Sequence, residues 1–298
     1  MGGKSGNKNI IMIYISLTTV PKRLKDWDEI EKNLESLLHQ KTDKEYYVIF
    51  NIPKLYKMDD DVEYVVPDEL FEYAKDHPRL IINRDVIDYG PIIKIYGALK
   101  IATDPNDIII ALDDDYAYHK NLLEYHIKKL IEYPEYVVCF ASDSAVEKIP
   151  LTDIDDGVKR FRMHGSRVDF PLVKDSFARS PGHNGSASYK RYYFEEDFNE
   201  ELFALSTGDD PLMGYYLKKH QRCVIMVKWD MSDFPGAIYN MPIIERLVFP
   251  EYAGGWLIRK KNPQTIHGMM SLELTDFLSD NFYVYVEKHG DYEKNNST

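Results

Sequence analysis

The chain has 298 residues, enough to bury a large core in one domain or two closely joined lobes. Hydrophobic residues are 44% and charged residues 29%, ordinary for a soluble globular protein, and no apolar stretch approaches the length of a membrane-spanning helix. Lys and Arg total 37 against 49 Asp and Glu, and the resulting charge of −12 disfavours non-specific nucleic-acid binding.

Residues 1–9 open on Met1-Gly2-Gly3-Lys4-Ser5-Gly6, carry no apolar signal-peptide core and read as a flexible tail. Gly6 also breaks the myristoylation pattern. Cys139 and Cys223 each lie in an apolar run and read as buried free thiols, without structural zinc. Together these features predict a soluble chain in a reducing, cytoplasmic compartment.

Ile10 to Ile15 reads as a first strand, followed by the loop Ser16-Leu17-Thr18-Thr19-Val20-Pro21. Ile30, Leu34, Leu37 and Leu38 then fall at helical spacing, and Tyr46 to Phe50 is the second strand. Strand, helix and strand in this order predict a parallel unit with a right-handed crossover. The stretch from Asn51 to Asp68, with Pro53 and Pro67, reads as irregular, and Leu80 to Ile82 as a strand. Pro91 suits the first turn of a helix running to about Ile101. Ile108 to Leu112 is a buried strand, Leu123, Ile127, Leu130 and Ile131 mark a helix, and Tyr136 to Ala141 a further strand.

The second half is less regular. Residues 150–190 are rich in Gly and polar residues. The part from about Arg160 to Ser188 reads as a mobile lid over the site. Asp210-Pro211 opens a helix to about Lys219, with Asp210 as its N-cap, and Cys223 to Val227 is a strand.

The most informative stretch is Asp113-Asp114-Asp115 at the carboxyl end of the apolar run. Open α/β sheets place ligands beyond this end of their strands. Three adjacent carboxylates repel one another, and a divalent cation such as Mn²⁺ or Mg²⁺ compensates them with hard oxygen ligation. The bland alternative is a solvated acidic turn capping the next helix.

In their order along the chain, these stretches resemble GT-A glycosyltransferases. The first loop through Arg23 is similar to that family's opening turn, and Ala111-Leu112-Asp113-Asp114-Asp115 to its DXD motif. Arg84 to Lys94, with Asp88-Tyr89-Gly90-Pro91 inside it, resembles small enzymes of the chlorella-virus type. Gly208-Asp209-Asp210 resembles the acidic motif that supplies the base in inverting members. The resemblance runs from about Ile10 to Val227 and implies an α/β fold: a Rossmann-like, mostly parallel sheet flanked by helices, with a less regular acceptor side. It implies one catalytic domain over residues 10–298, with a nucleotide-sugar half at 10–145 and an acceptor half at 146–298.

It further implies a metal-dependent, inverting hexosyl- or pentosyltransferase acting between a nucleotide-diphosphate sugar and a glycan or other hydroxyl acceptor. Asp115 would be the direct metal ligand, and Asp113 would meet the metal, its water or the ribose. Asp114 would face away or cap the following helix. Thr18, Arg84, Asp88, Lys94, Asp113 and Asp114 are candidate donor contacts, although Arg84 and Lys94 also read as surface charge and Asp88 as a turn residue. Asp210 would be the base, with Asp209 beside it, the two carboxylates raising each other's pKa. His267 is a candidate further metal ligand. Trp256 is a candidate sugar platform, and Arg160, Arg162 and Arg167 candidate phosphate contacts. Two rival readings use the same residues: a Mg²⁺-dependent phosphohydrolase or nucleotidyltransferase, and a non-catalytic carbohydrate-binding protein.

Overall fold

The computed structural model describes residues 11–57, 62–142, 175–178, 180–204, 208–230, 232–238 and 242–249. Strand β1 (Ile13–Thr18), helix α1 (Trp27–Leu38) and strand β2 (Tyr46–Asn51) form the predicted parallel unit. Ile30, Leu34 and Leu37 are buried, as their spacing requires. The stretch read as irregular holds a two-strand hairpin of β3 (Leu55–Tyr56) and β4 (Val62–Glu63). Helix α2 (Asp68–Asp76) follows Pro67 and leaves no apolar stripe in the sequence, because Leu70 is its one buried residue. Strand β5 (Leu80–Asn83) then pairs with β2, helix α3 (Ile93–Leu99) crosses over, and β6 (Ile108–Ala111) pairs with β1.

The acidic triplet is not followed by a helix. Strand β7 (Tyr116–Tyr118) comes next, and helix α4 (Leu122–Glu132) begins after Asn121. Strand β8 (Val137–Ala141) completes the first half. The described part of the second half adds β9 (Ser176–Ala178), β10 (Gly182–Lys190), α5 (Glu200–Phe203), α6 (Asp209–Lys219), β11 (Val224–Met226) and β12 (Ile243–Arg246).

The main sheet has eight strands in the order β5-β2-β1-β6-β10-β8-β11-β9. Its first four strands are parallel, whereas β10 runs antiparallel between β6 and β8. Neighbouring residues of one strand enter different core clusters, so both faces are covered. Ile110, Val138, Leu34 and Leu123 pack together on one face; Ala111, Cys139, Ile95 and Leu212 pack on the other.

Strand β10 corrects the mobile-lid reading for its part from Gly182 to Ser188. Gly182 to Tyr189 are buried and lie in the middle of the sheet. Small residues here let the strand fit tightly: a Cβ on Gly182 would lie 2.9 Å from the backbone of Ala141. Its His183, Ser186 and Ser188 side chains are hydrogen-bonded internally, so a Gly- and Ser-rich composition marks close packing at this place. Residues 160–174 lie outside the described residues.

Candidate active site

The site lies where β6 ends. Tyr118 Oη donates to Asp113 O at 3.0 Å and accepts from Asp113 N at 3.1 Å, which pins the start of the triplet. Each carboxylate then meets a cation. Lys94 Nζ is 2.5 Å from Asp113 Oδ1. Arg23, in the turn after β1, pairs with Asp114 and places Nη2 3.3 Å from Asp115 Oδ2. Repulsion in the triplet is therefore offset by two cations of the chain. Asp114 is buried on Arg23; it neither faces solvent nor caps a helix.

Asp115 retains a buried oxygen, Oδ1, without a hydrogen-bond partner among the described residues, and Asp114 Oδ2 is in the same position. Burial, and next the charge of Asp113, push the Asp115 carboxyl up to about 6, against the pull of Arg23. A half-buried carboxylate with an unsatisfied hard oxygen fits a divalent cation as ligand.

Lys94 contradicts the surface-charge alternative. Its side chain is buried, on the first turn of α3, and its ammonium also lies 2.9 Å from Asp209 Oδ2. Burial opposes that charge, but Asp113 and Asp209 outweigh it and raise the Lys94 pKa. The backbone around it is held by a close approach. Ser16 Oγ donates to Lys94 O at 2.5 Å, and a Cβ on Gly97 would sit 2.0 Å from Asn51 Oδ1.

Asp209 and Asp210 occupy the first turn of α6, whose N-cap is Gly208. Asp210 is thus not the cap, and Pro211 sits inside the first turn, where a missing N–H costs nothing. His183 of β10 meets both carboxylates: Nδ1 lies 2.6 Å from Asp210 Oδ1 and 2.9 Å from Asp209 Oδ2. The His183 backbone N–H also donates to Asp210 Oδ1 at 3.1 Å, and Nε2 is 2.7 Å from Tyr189 Oη. Burial opposes protonation of His183, but the two carboxylates raise its pKa to about 9. The expectation that the two aspartates raise one another fails for Asp209. Burial alone would raise it, yet Lys94 and His183 hold its carboxyl well below the usual range.

The result is one run of ion pairs, Asp113–Lys94–Asp209–His183–Asp210, from the end of β6 to the start of α6. His183, Asp209 and Asp210 offer ligand atoms within 4.8 Å of one another, a spacing that also suits a cation. Lys94 already brings positive charge to that point.

The other predicted donor contacts are placed differently. Asp88 is buried and accepts from Gly90 N at 2.8 Å and Lys57 N at 2.9 Å, the turn alternative, with Gly90 at φ 79°. Arg84 Nη2 donates to Tyr64 O at 3.4 Å. Burial, then Asp88, raise the Tyr64 pKa, with smaller upward effects from Tyr56 and Asp114 and a downward one from Arg84. Thr18 Oγ1 donates to Asn51 O at 2.9 Å and ties β1 to β2. His267, Trp256, Arg160, Arg162 and Arg167 lie outside the described residues.

Sequence reasoning did not single out Arg23, His183 or Tyr189. The first sat in a quoted loop without a role, and the other two in a segment read as irregular. No helix among the described residues is long and apolar enough to cross a membrane.

Solved structures of S. aureus TarS resemble the fold. The 1–349 form is 15% identical at a TM-score of 0.42, covering 75% of this chain and 61% of that one. Its complex with UDP is 15% identical at 0.44, covering 75% and 62%. The chain thus matches less than two thirds of the length of these structures. No curated protein matches it. Residues 20–196 match the family described as "Glycosyl transferase family 2", a stretch that holds Arg23, Lys94, the triplet and His183 and ends before Asp209. The chain belongs to glycosyl transferase family 2.

Proposed function

We propose that the chain transfers a sugar, a hexose or a pentose, from a nucleotide-diphosphate donor to an acceptor hydroxyl, with inversion and with help from Mn²⁺ or Mg²⁺. The observation that carries this reading is the run of ion pairs from Asp113 to Asp210, which joins an acidic strand end to an acidic helix start. On this reading Asp115 and Asp113 would hold the cation, the unpartnered Oδ1 of Asp115 being the supporting feature. A bound cation supplies Lewis-acid neutralisation of the departing diphosphate.

Asp210 is the proposed base. Its side chain keeps 26% of its surface exposed, whereas Asp209 is 13% exposed and held ionised between two cations. Asp210 takes the acceptor hydroxyl proton as that oxygen bonds to the anomeric carbon, and the bond to the diphosphate breaks. His183 orients Asp210 through its Nδ1 and backbone N–H. Asp209 and Lys94 hold the two acidic motifs in register. Asp114, Arg84, Asp88 and Thr18 are assigned to the donor side.

The halves at 10–145 and 146–298 are a functional division, donor against acceptor, and described strands of each half share the main sheet. Two buried free cysteines support a reducing, cytoplasmic setting. On motif order we group the chain with the small chlorella-virus-type enzymes.

The test is a panel of nucleotide sugars assayed for nucleoside diphosphate release with Mn²⁺, with Mg²⁺ and with EDTA. One donor should turn over and lose turnover in EDTA. Turnover unaffected by EDTA removes the metal, and hydrolysis of generic phosphate esters instead of sugar transfer overturns the reading.

A further inference from the structure

His126 of α4 lies fully buried against β10, edge-on to Phe140 with ring centroids 4.9 Å apart. Its Nε2 is 2.8 Å from Ser186 Oγ and its Nδ1 3.0 Å from Ser188 Oγ. Ser188 Oγ donates to Val138 O at 3.3 Å, so it accepts from His126. That assigns the proton to Nδ1 and leaves Nε2 to accept from the Ser186 hydroxyl. Burial depresses the His126 pKa to about 3, so the ring is neutral, as this assignment requires.

Ser186 is an unusual residue to find here. Its φ is 82°, in the left-handed region that glycine adopts freely and serine does not. It sits in a bulge, where the register of β10 on β8 shifts between Gly182 and Ala187. Bulges re-aim side chains next to sites, and this one carries His183. Two residues before the bulge's end at Ser186 is Asn184, whose carbonyl receives Tyr118 Oη at 3.5 Å. The left-handed serine therefore ties α4 to the stretch that reaches Asp210.

We propose that His126 is a positioning residue for the carboxylate pair: its hydrogen bond holds Ser186 in the left-handed conformation, and the resulting bulge presents His183 to Asp209 and Asp210. The proposal rests on the glycosyl-transfer reading for its catalytic consequence, though not for its structural one.

Four variants test it: Ser186→Ala, Ser186→Gly, His126→Leu, and His126→Leu combined with Ser186→Gly. Alanine loses the hydrogen bond and keeps the backbone cost. Glycine loses both. Ser186→Ala and His126→Leu should lower kcat by a factor on the order of ten to a hundred, with little change in donor KM, because misplacement acts on the reacting geometry. Ser186→Gly should keep kcat, and adding it to His126→Leu should restore it. The second readout is the NMR signal of the His183 Nδ1 proton, which should shift or vanish with Ser186→Ala and persist with Ser186→Gly. Equal behaviour of the Ala and Gly variants, or an unmoved His183 signal in all four, overturns the proposal. If His126→Leu does not fold, the Ala and Gly pair decides alone. If no nucleotide sugar turns over, the His183 signal still decides, so failure of this proposal is separable from failure of the glycosyl-transfer reading.

Discussion

Lys94 Nζ lies 2.9 Å from Asp209 Oδ2, a contact that binds the first turn of α3 to the first turn of α6. The same ammonium lies 2.5 Å from Asp113. One buried cation therefore sets the distance between the acidic strand end and the acidic helix start. Removing one partner of a buried pair leaves the others as uncompensated charges, and this costs about 3–5 kcal/mol. Lys94→Met should lower stability by that order in urea unfolding. Adding Asp209→Asn should recover part of the loss. Strict additivity of the two changes would mean that the contact carries no coupling.

Asp210→Asn separates base from scaffold. Asn keeps an oxygen to accept the His183 backbone N–H, while the basic carboxylate is gone. Turnover should fall by a factor on the order of 10² or more, with donor affinity little changed. Loss of the charge takes one of two carboxylates from buried His183 and should cost about 1.5–3 kcal/mol. An Asn variant that turns over normally excludes Asp210 as the base.

Asp115→Asn should abolish Mn²⁺-dependent donor binding, read by calorimetry with and without EDTA. It should not lower the melting temperature in EDTA. Burial pushes the Asp115 carboxyl up to about 6, so near neutral pH its charge is less favourable in the fold than in the unfolded chain. A large drop in melting temperature without metal would mark Asp115 as a structural partner of Arg23.

Gly97 is the contact point of α3 on the sheet. A methyl group there meets Asn51 Oδ1 at 2.0 Å, and Asn51 in turn donates to Ser16 Oγ at 2.9 Å and Leu17 O at 3.0 Å. Gly97→Ala should therefore destabilise by about 1–3 kcal/mol, the cost of overpacking, despite the higher helix propensity of alanine. A stabilised variant would show that α3 can move off the sheet without loss.

Two of the buried histidines, His183 and His126, give opposite pH dependences. His183, raised to about 9, contributes stability that is full below its unfolded value near 6.5 and is lost as pH rises through about 9. His126, lowered to about 3, is neutral in the fold and takes up its proton on unfolding. Stability therefore falls as pH drops from about 6.5 toward 3. Denaturation midpoints measured across pH should show a smaller alkaline slope in His183→Gln and a smaller slope between about 6.5 and 3 in His126→Leu. A slope undiminished by its own substitution refutes the assignment of that histidine.

The sequence by itself determined the elements whose signal is local. Helix α1 follows from the spacing of Ile30, Leu34 and Leu37, and β6 from an apolar run ending in aspartates, because side-chain period and burial face are set within a few residues. The same local reading placed Asp113 and Asp115 as site candidates, and the resemblance added Asp209, Asp210 and the GT-A type of fold. Tertiary structure alone decided what compensates those charges. Lys94 read equally as surface charge until α3 carried it under the triplet, and Arg23 had no role until its turn folded onto Asp114. It also decided that Gly182 to Tyr189 form a central strand. Their small and polar residues look like a loop in sequence, since no local pattern records the His126, Asp210 and Val138 atoms that satisfy them. Hydrogen-bond and ion-pair partners distant in the chain are chosen by packing, and packing is a property of the whole fold.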